Sequence, residues 1–261
     1  MDAIYIHPNM SDGGLATGAA LEVFHDRRRR QSRPYIHRPW ANVYLGPEYS
    51  RDDIQSAVAK ESIPFTEPDD LASKTASALA KGQIVAWFQG RMEYGPRALG
   101  NRSLLAAATD RGVHDRLNAR LQRSEIMPFA PIILEEHAHD WFPEWSPGHM
   151  ASRFMTITYD VEPSLASKAP AIVHVDGTAR PQVLRRSDQP LLHAVLEEYQ
   201  HQTGVPLVIN TSFNMHEDPI VCSPEDALDA VARGAADVLV MGSLWITAED
   251  IEAHMKRGGC S

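Results

Sequence analysis

The sequence has very few cysteines and no long apolar run, and each absence limits what the protein can be. Cys222 and Cys260 are its only cysteines, too few for a disulfide framework or a cysteine metal cluster, and this usage fits a reducing cytoplasm. No apolar stretch approaches the roughly 20 residues of a membrane span. The N-terminus also lacks the charged-then-apolar layout of a signal peptide. The sequence therefore predicts a cytoplasmic protein without a membrane-spanning segment.

Positive charge is scarce relative to negative charge. The chain carries 25 Lys and Arg against 34 Asp and Glu, a net charge of -9, which argues against a nucleic-acid-binding protein. No Ser-His-Asp or Cys-His pattern stands in a convincing context for nucleophilic catalysis. His137 and His139 share a face only on a strand, and their polar, helix-like surroundings favour surface histidines over a metal site.

The composition is that of a globular protein. Hydrophobic residues make up 43% of the 261 residues, enough for a sizeable core in one large domain or two small ones. Helices are predicted from about Leu15, at 51–60, 71–81, 110–123 and 190–201, and from Pro224. Strands are predicted at 4–6, 84–88, 128–134, 154–159, 172–177, 206–209 and 238–241, and residues 26–47 are predicted to be a linker. This irregular alternation indicates an α/β or α+β fold with a sheet core.

One segment concentrates the chemistry that the rest of the chain lacks. Residues 90–103, GRMEYGPRALGNRS, hold three glycines and three arginines between two apolar runs. Glycines admit positive φ and let a ligand approach the backbone, and arginine forks fit phosphate and carboxylate oxygens. The segment is either an anion cradle or a tight hairpin with solvated arginines.

Later polar groups follow predicted strands in the same way. Arg180 comes just after an Asp-Gly turn, and residues 210–214 read NTSFN at the end of an apolar run. Polar side chains at strand ends commonly build ligand sites. Together they form a phosphate-recognition set: charge from Arg97, Arg102 and Arg180, and neutral donors from Ser103, Thr211 and Ser212.

The N-terminal segment is a second, weaker candidate. Residues 12–20, DGGLATGAA, combine a turn with the start of a helix, an arrangement that favours anion or nucleotide binding. Asp12 is either a metal ligand on this turn or a turn and N-cap residue.

Four motifs in order make a specific pattern. They are GPRALGNRS at 95–103, PFAP at 128–131, VDGTAR at 175–180 and NTSFN at 210–214. Over about residues 70–250 the chain resembles the O-carbamoyltransferase family, which includes nodulation carbamoyltransferases of rhizobia and enzymes that carbamoylate antibiotics. The N-terminal residues 7–20 resemble the last motif of that family's N-terminal part.

The resemblance implies a fold and a reaction. The family's C-terminal part has a YrdC-like twisted mixed sheet flanked by helices and makes carbamoyl-adenylate from carbamoyl phosphate and ATP. Its N-terminal part is actin-like, binds a metal and transfers the carbamoyl group to an acceptor hydroxyl. By this resemblance, residues 1–49 are a remnant of the N-terminal domain plus a linker, and residues 50–261 are the YrdC-like domain.

The resemblance also assigns residues. Arg97, Arg102 and Arg180 are expected to act on the phosphates and the carbamoyl group, and the pocket is expected to include Ser103, Arg123, Asn210, Thr211, Ser212 and Asn214. Arg123 is the basic residue before the PFAP motif, where many relatives carry more than one. Asp12 matches the metal-ligating aspartate.

The chain departs from the family in a second respect besides the fewer basic residues before the PFAP motif. The histidine pair that completes the metal site belongs to a region absent here, so Asp12 represents an incomplete site, because such sites need about three protein ligands. A Mg or Fe ion is expected only with a separately encoded N-terminal part. Three interpretations follow: a carbamoyltransferase part acting on a nodulation factor or antibiotic hydroxyl, a non-catalytic nucleotide-binding or interaction remnant, and a YrdC-like RNA-binding or tRNA-modification protein.

Overall fold

A computed structural model of the chain describes residues 6–10, 12–36, 42–122 and 129–258. Its centre is a seven-stranded sheet in the order β6-β3-β7-β2-β1-β8-β9. The strands are β1 (Val85–Phe88), β2 (Arg102–Ala106), β3 (Ala130–Leu134), β6 (Gln182–Leu184), β7 (Leu207–Ser212), β8 (Val238–Met241) and β9 (Leu244–Thr247). A separate two-stranded ladder joins β4 (Tyr159–Asp160) to β5 (Thr178–Ala179).

The sheet is mixed. The β1–β8 and β3–β6 pairs are parallel, and the other four pairs are antiparallel. Residues of β1, β2 and β3 are buried without alternation, as expected of strands covered on both faces. This architecture confirms the predicted α/β class with a mixed sheet flanked by helices.

Nine α-helices lie in the described ranges. They are α1 (Asp12–Arg30), α2 (Arg51–Lys60), α3 (Leu71–Ala80), α4 (Val113–Arg120), α5 (Ala138–Trp141), α6 (Pro163–Ala166), α7 (Pro190–Thr203), α8 (Pro224–Ala232) and α9 (Ala248–Gly258). Ser50 and Ser223 form capping boxes at α2 and α8, each satisfying two backbone donors that a helix start leaves unpaired. The predictions for α2, α3, α7 and α8 are confirmed to within two residues.

Two strand predictions are wrong. Residues 154–159 contain the end of a 3-10 helix at Met150–Phe154 and only the first residue of β4, because Met155 takes a left-handed conformation with φ 53° that stops an extended run. Residues 172–177 begin with the last residue of another 3-10 helix, Pro170–Ile172, and continue into a turn. There, Thr178 donates its backbone N–H to the Asp176 side chain in a turn, and local bonds of this kind compete with strand pairing.

The N-terminal region also differs from expectation. Residues 26–30 belong to α1 rather than to a linker, and α1 buries none of its residues. In its last turn Arg28 is half-buried and the other three arginines are exposed. Arg29 and Arg30 pair with acids on the same helix. Part of the strand predicted at 4–6 lies outside the described residues. Across the described ranges, every helix falls short of the length and apolar character that crossing a bilayer requires.

Candidate active site

The arginine-rich segment connects β1 to β2 as a long hairpin loop, here called the cradle loop (residues 89–101). Its ends are joined by a hydrogen bond from Gln89 N to Asn101 O at 2.9 Å. Inside the loop, one carboxylate oxygen of Glu93 accepts from the main-chain N–H groups of Leu99, Asn101 and Arg102 at 2.7, 2.7 and 3.1 Å. Glu93 is only 6% exposed, so this buried anion fixes the loop from within.

The carbonyl of Leu99 anchors the loop to the rest of the domain. It accepts hydrogen bonds from Tyr44 Oη at 3.0 Å, Gln182 Nε2 at 2.8 Å and Gln189 Nε2 at 2.8 Å. Burial, followed by the charge of Glu93, raises the pKa of Tyr44 far above its usual range, so the phenol stays protonated and remains a donor. Three distant segments thus hold one peptide of the cradle loop.

Arg102 is completely buried, and its guanidinium group bonds to other parts of the protein. Its guanidinium donates to the carbonyl oxygens of Gln89 at 2.7 Å, Asn101 at 3.0 Å, Gly90 at 3.2 Å and Pro47 at 3.5 Å. It also lies 3.6 Å above the ring centroid of Phe88. Burial lowers its pKa, and the nearby Glu93 carboxylate partly offsets that shift. These contacts are those of a group that holds the loop.

Strand register sorts the predicted site residues onto two faces of the sheet. Ser103 lies directly opposite Ser212, and Leu104 lies opposite Thr211. Because side chains alternate along a strand and directly opposed residues share a face, Ser103, Ser212 and Asn210 share one face. Thr211 lies on the other face, together with Arg102.

The Ser103 face is closely tied to the cradle loop. Ser103 Oγ accepts from Gly100 N at 2.9 Å. Asn210 Nδ2 donates to Ala98 O at 3.2 Å and to Gln182 Oε1 at 2.7 Å. Asn210 Oδ1 is buried and accepts from no residue in the described part of the chain, which leaves one acceptor available to a ligand.

Arg97 and Arg180 form a close pair of cations, here called the arginine pair. Burial lowers the pKa of both guanidinium groups, and the positive charge of Arg97 lowers that of Arg180 further. The Nε atoms of both side chains are shielded from solvent and unbonded within the described residues. Neither side chain forms an ion pair with any described residue, whereas other arginines meet carboxylates: Arg120, Arg153, Arg185 and Arg233. Two half-buried cations without a counter-charge make this pair a candidate anion site.

The remaining predicted site residues are Asn214, Arg123 and Asp12. Asn214 Nδ2 donates to Met215 O at 2.9 Å and to Asp218 O at 2.8 Å, so its amide nitrogen stabilises the turn after β7. Arg123 lies outside the described residues. Asp12 is exposed at the first position of α1.

A metal is not supported by the residues around Asp12. Within the described ranges, Asp12 belongs to no group of three His, Cys, Asp or Glu ligand atoms; the one such group is Glu136, His193 and Glu197. In that group, His193 Nε2 faces Glu136 at 3.1 Å and Nδ1 faces Glu197 at 3.3 Å. Since the two ring nitrogens point in different directions, this is the geometry of a histidine between two carboxylates.

Sequence reasoning missed the residues that hold the site. Glu93 is the one acidic residue in residues 90–103. A single acid among three arginines indicates a local partner, so the sequence did contain a signal for the role of Glu93. Tyr44, Gln182 and Gln189 reach Leu99 from 55, 83 and 90 residues away. Contacts over such separations leave no pattern in a single sequence.

Comparison with known families and proteins gives a consistent result. A family model described as "Carbamoyltransferase C-terminus" matches residues 76–248. The nodulation protein NolO of Bradyrhizobium diazoefficiens is 36% identical over 245 residues, which cover 92% of this chain and 44% of that protein. The nodulation protein NolNO of Sinorhizobium fredii is 37% identical over 250 residues, covering 93% of this chain and 36% of that protein. The chain thus spans less than half the length of these curated relatives.

A solved structure gives a weaker match. The crystal structure of full-length HypF in the phosphate- and nucleotide-bound form aligns with a TM-score of 0.49 at 21% identity, covering 69% of this chain and 22% of that one. Likeness at this level does not establish a shared fold, so the family relationship rests on the sequence matches.

Proposed function

The chain belongs to the carbamoyltransferase family, and from that premise we propose that it forms carbamoyl-adenylate from carbamoyl phosphate and ATP. The arginine pair binds phosphate oxygens in this reaction. The Ser103 face, with Asn210 and Ser212, receives the carbamoyl group. Arg102 and Glu93 hold the cradle loop in the shape that the reaction needs.

The proposal rests mainly on one observation, the lack of a counter-charge at the arginine pair among the described residues. In the described chain, Arg97 and Arg180 repel each other without an ion-pair partner, a costly arrangement that a bound polyanion would relieve. Arginine keeps its proton at any physiological pH, and its fork matches phosphate oxygens in a bidentate way. Phosphate charge is therefore the ligand chemistry that fits this pair best.

The neutral groups nearby suit the carbamoyl end. A carbamoyl group carries an NH2 donor and a carbonyl acceptor, as a side-chain amide does. The buried Asn210 Oδ1 offers an acceptor for such an NH2 group. A buried polar group that only the right ligand satisfies also contributes specificity, because an analogue lacking the donor leaves it unpaired.

The bond changes require one water molecule. Carbamoyl phosphate has a single phosphorus, so cleavage of its P–O bond by water gives carbamate and inorganic phosphate. A carbamate oxygen then attacks the α-phosphorus of ATP, and pyrophosphate leaves with the electron pair of the broken P–O bond. Charge builds on phosphoryl oxygens in both steps, and fixed arginines stabilise such charge without reorganising.

The activity of the whole protein is a further part of the proposal. We assign residues 50–261 to adenylate formation and residues 1–49 to the end of an N-terminal transferase part. Transfer of the carbamoyl group to a hydroxyl then depends on that part, whether on the same chain or on a separate one. The names of the nodulation relatives support a nodulation factor as acceptor, and an antibiotic hydroxyl is the alternative acceptor.

The test is calorimetric titration of ATP, with and without carbamoyl phosphate, into the parent chain and Arg97→Ala, together with an assay of pyrophosphate release. We expect Arg97→Ala to weaken binding by about 10- to 100-fold, the equivalent of one or two charged hydrogen bonds. Arg185→Ala is the matched control, because Arg185 already pairs with Glu135 at 2.7 Å. Binding without pyrophosphate release would instead favour a non-catalytic nucleotide-binding module. Equal binding by all three proteins would contradict the assignment of the site.

A further inference from the structure

His174 takes part in a hydrogen-bonded relay near the arginine pair. Its Nδ1 lies 3.0 Å from Thr178 Oγ1, and that hydroxyl donates to Asp176 Oδ1 at 2.8 Å. Because the hydroxyl proton of Thr178 goes to Asp176, the hydroxyl oxygen accepts from the histidine, and Nδ1 carries the ring proton. The neutral ring therefore keeps the lone pair on Nε2.

The backbone fixes the relay. His174 N donates to Thr178 O at 2.8 Å, and Gly177 N donates to His174 O at 3.0 Å. Thr178 N also donates to Asp176 Oδ1 at 3.0 Å. This tight turn leads directly into β5, which Arg180 follows, so the imidazole and Arg180 are positioned by one short segment.

A cavity of about 370 Å³ adjoins the imidazole. Its lining residues are Arg111, His114, Pro170, Val173, His174 and Val175. The cavity is of a size that small ligands occupy. Within the described ranges, no hydrogen bond involves His174 Nε2.

The charges around His174 favour the neutral ring. Burial lowers its pKa most, and the positive charge of Arg180 and the proximity of His114 lower it further, while the Asp176 carboxylate raises it. Arg111 is the other charged group on the cavity wall. A histidine with a lowered pKa is unprotonated at neutral pH and is ready to accept a proton.

We propose that His174 Nε2 is the general base for the water consumed in carbamoyl-adenylate formation; this inference rests on the proposed function. The water oxygen forms a bond to the phosphorus of carbamoyl phosphate, and the water proton moves to Nε2. The bond between phosphorus and the carbamoyl oxygen breaks, and its electron pair leaves with carbamate. Thr178 and Asp176 are positioning residues that hold the tautomer.

The main test is His174→Asn in the full chain. Its side-chain amide keeps a donor near the place of Nδ1, so the bond to Thr178 is preserved while the base is lost. We expect turnover, measured as pyrophosphate release, to fall about 100-fold, with ATP affinity and the melting temperature unchanged. His201→Asn is the matched control, because the His201 side chain is 72% exposed on α7.

A pH profile separates a base from a structural residue. The parent should lose activity as pH falls below the lowered pKa of His174, and His174→Asn should lack this acid limb. Asp176→Asn removes the one charge that raises this pKa, so the acid limb should move to lower pH. A purely structural role would leave the position of the limb unchanged.

An isotope experiment follows the bond that breaks. In ¹⁸O-water, attack at phosphorus places one ¹⁸O in each inorganic phosphate released, measured against an enzyme-free blank. A His174→Asn variant as active as the parent, with the same pH profile, overturns the inference alone. An active parent with unlabelled phosphate overturns the inference and the P–O cleavage step written above, while adenylate formation stands. A parent that releases no pyrophosphate overturns the proposed function and the inference together.

Discussion

Arg102 and the two residues of the arginine pair all stand in the sequence motifs, yet their surroundings in the structure differ. Arg102 is fully buried, donates four hydrogen bonds to carbonyl oxygens and stacks on Phe88. In the described chain, the half-buried guanidinium groups of Arg97 and Arg180 make neither an ion pair nor a hydrogen bond, whereas a buried, unbonded Nε is common to all three arginines. The contrast shows that the arginines of these motifs include one structural cation and two candidate ligand-binding cations, and that only their surroundings distinguish them.

The difference follows from energetics. A buried cation is tolerated when hydrogen bonds and nearby opposite charge compensate for its burial. Arg102 has four carbonyl acceptors and the nearby charge of Glu93, although its Nε is unbonded in the described chain. The arginine pair lacks this compensation, so its charges stay available for a ligand. Stability and binding should therefore respond in opposite ways to mutations at the two places.

The largest expected effect is that of Arg102→Ala. Removing the guanidinium leaves carbonyl oxygens unpaired and the buried Glu93 carboxylate without its neighbouring cation, which should cost about 3–5 kcal/mol of unfolding free energy. Urea unfolding of the variant and the parent measures the loss. The control is Arg185→Ala, which removes a half-exposed ion pair and should cost about 1 kcal/mol or less. Equal losses for the two variants would place Arg102 among ordinary surface arginines.

The next effect tests how tightly the cradle loop is held. Gly100 has φ +95°, and an added Cβ would lie 2.3 Å from Gln189 Oε1 and 2.7 Å from Leu192 Cδ2. Gly100→Ala should cost about 3 kcal/mol, since backbone strain and overpacking each contribute about 1–3 kcal/mol.

Gly82→Ala is the matched control for that loop prediction. Gly82 also has a positive φ, 79°, but nothing lies within 4 Å of an added Cβ, so only the strain of about 1 kcal/mol remains. The difference between the two glycine variants in urea unfolding isolates the contact with Gln189 and Leu192. Equal losses would mean that α7 does not restrain the loop.

The residues of the candidate site could be proposed from the sequence for a local reason. Arg97, Ser103, Arg180 and Asn210 stand in short motifs beside strands or turns, and the pairing of β2 with β7 brings two of these motifs together. The helix cap at Ser223 could be predicted for the same reason, because a capping box involves only neighbouring residues.

What could not be predicted depends on distant contacts or on single backbone angles. The role of Arg102 becomes visible only when Pro47 and Gln89 are seen beside it. The strand prediction over 154–159 is wrong because Met155 takes a positive φ. A methionine at this position does not indicate that conformation. The placement of Thr211 and Ser103 on opposite faces follows from the register of β2 and β7, two strands that are far apart in the sequence.

We expect the smallest effect on stability from Arg97→Ala and Arg180→Ala. These two variants test the central claim, that the arginine pair binds phosphate. Each change relieves repulsion within the arginine pair, so the ligand-free melting temperature should match or slightly exceed that of the parent. Pyrophosphate should raise the melting temperature of the parent by mass action, and this rise should be lost in both variants and retained in Arg185→Ala. The direct measurement is therefore the pyrophosphate-induced shift in melting temperature across these four proteins. A shift of equal size in all four, or a ligand-free loss in Arg97→Ala as large as that in Arg102→Ala, would contradict the account.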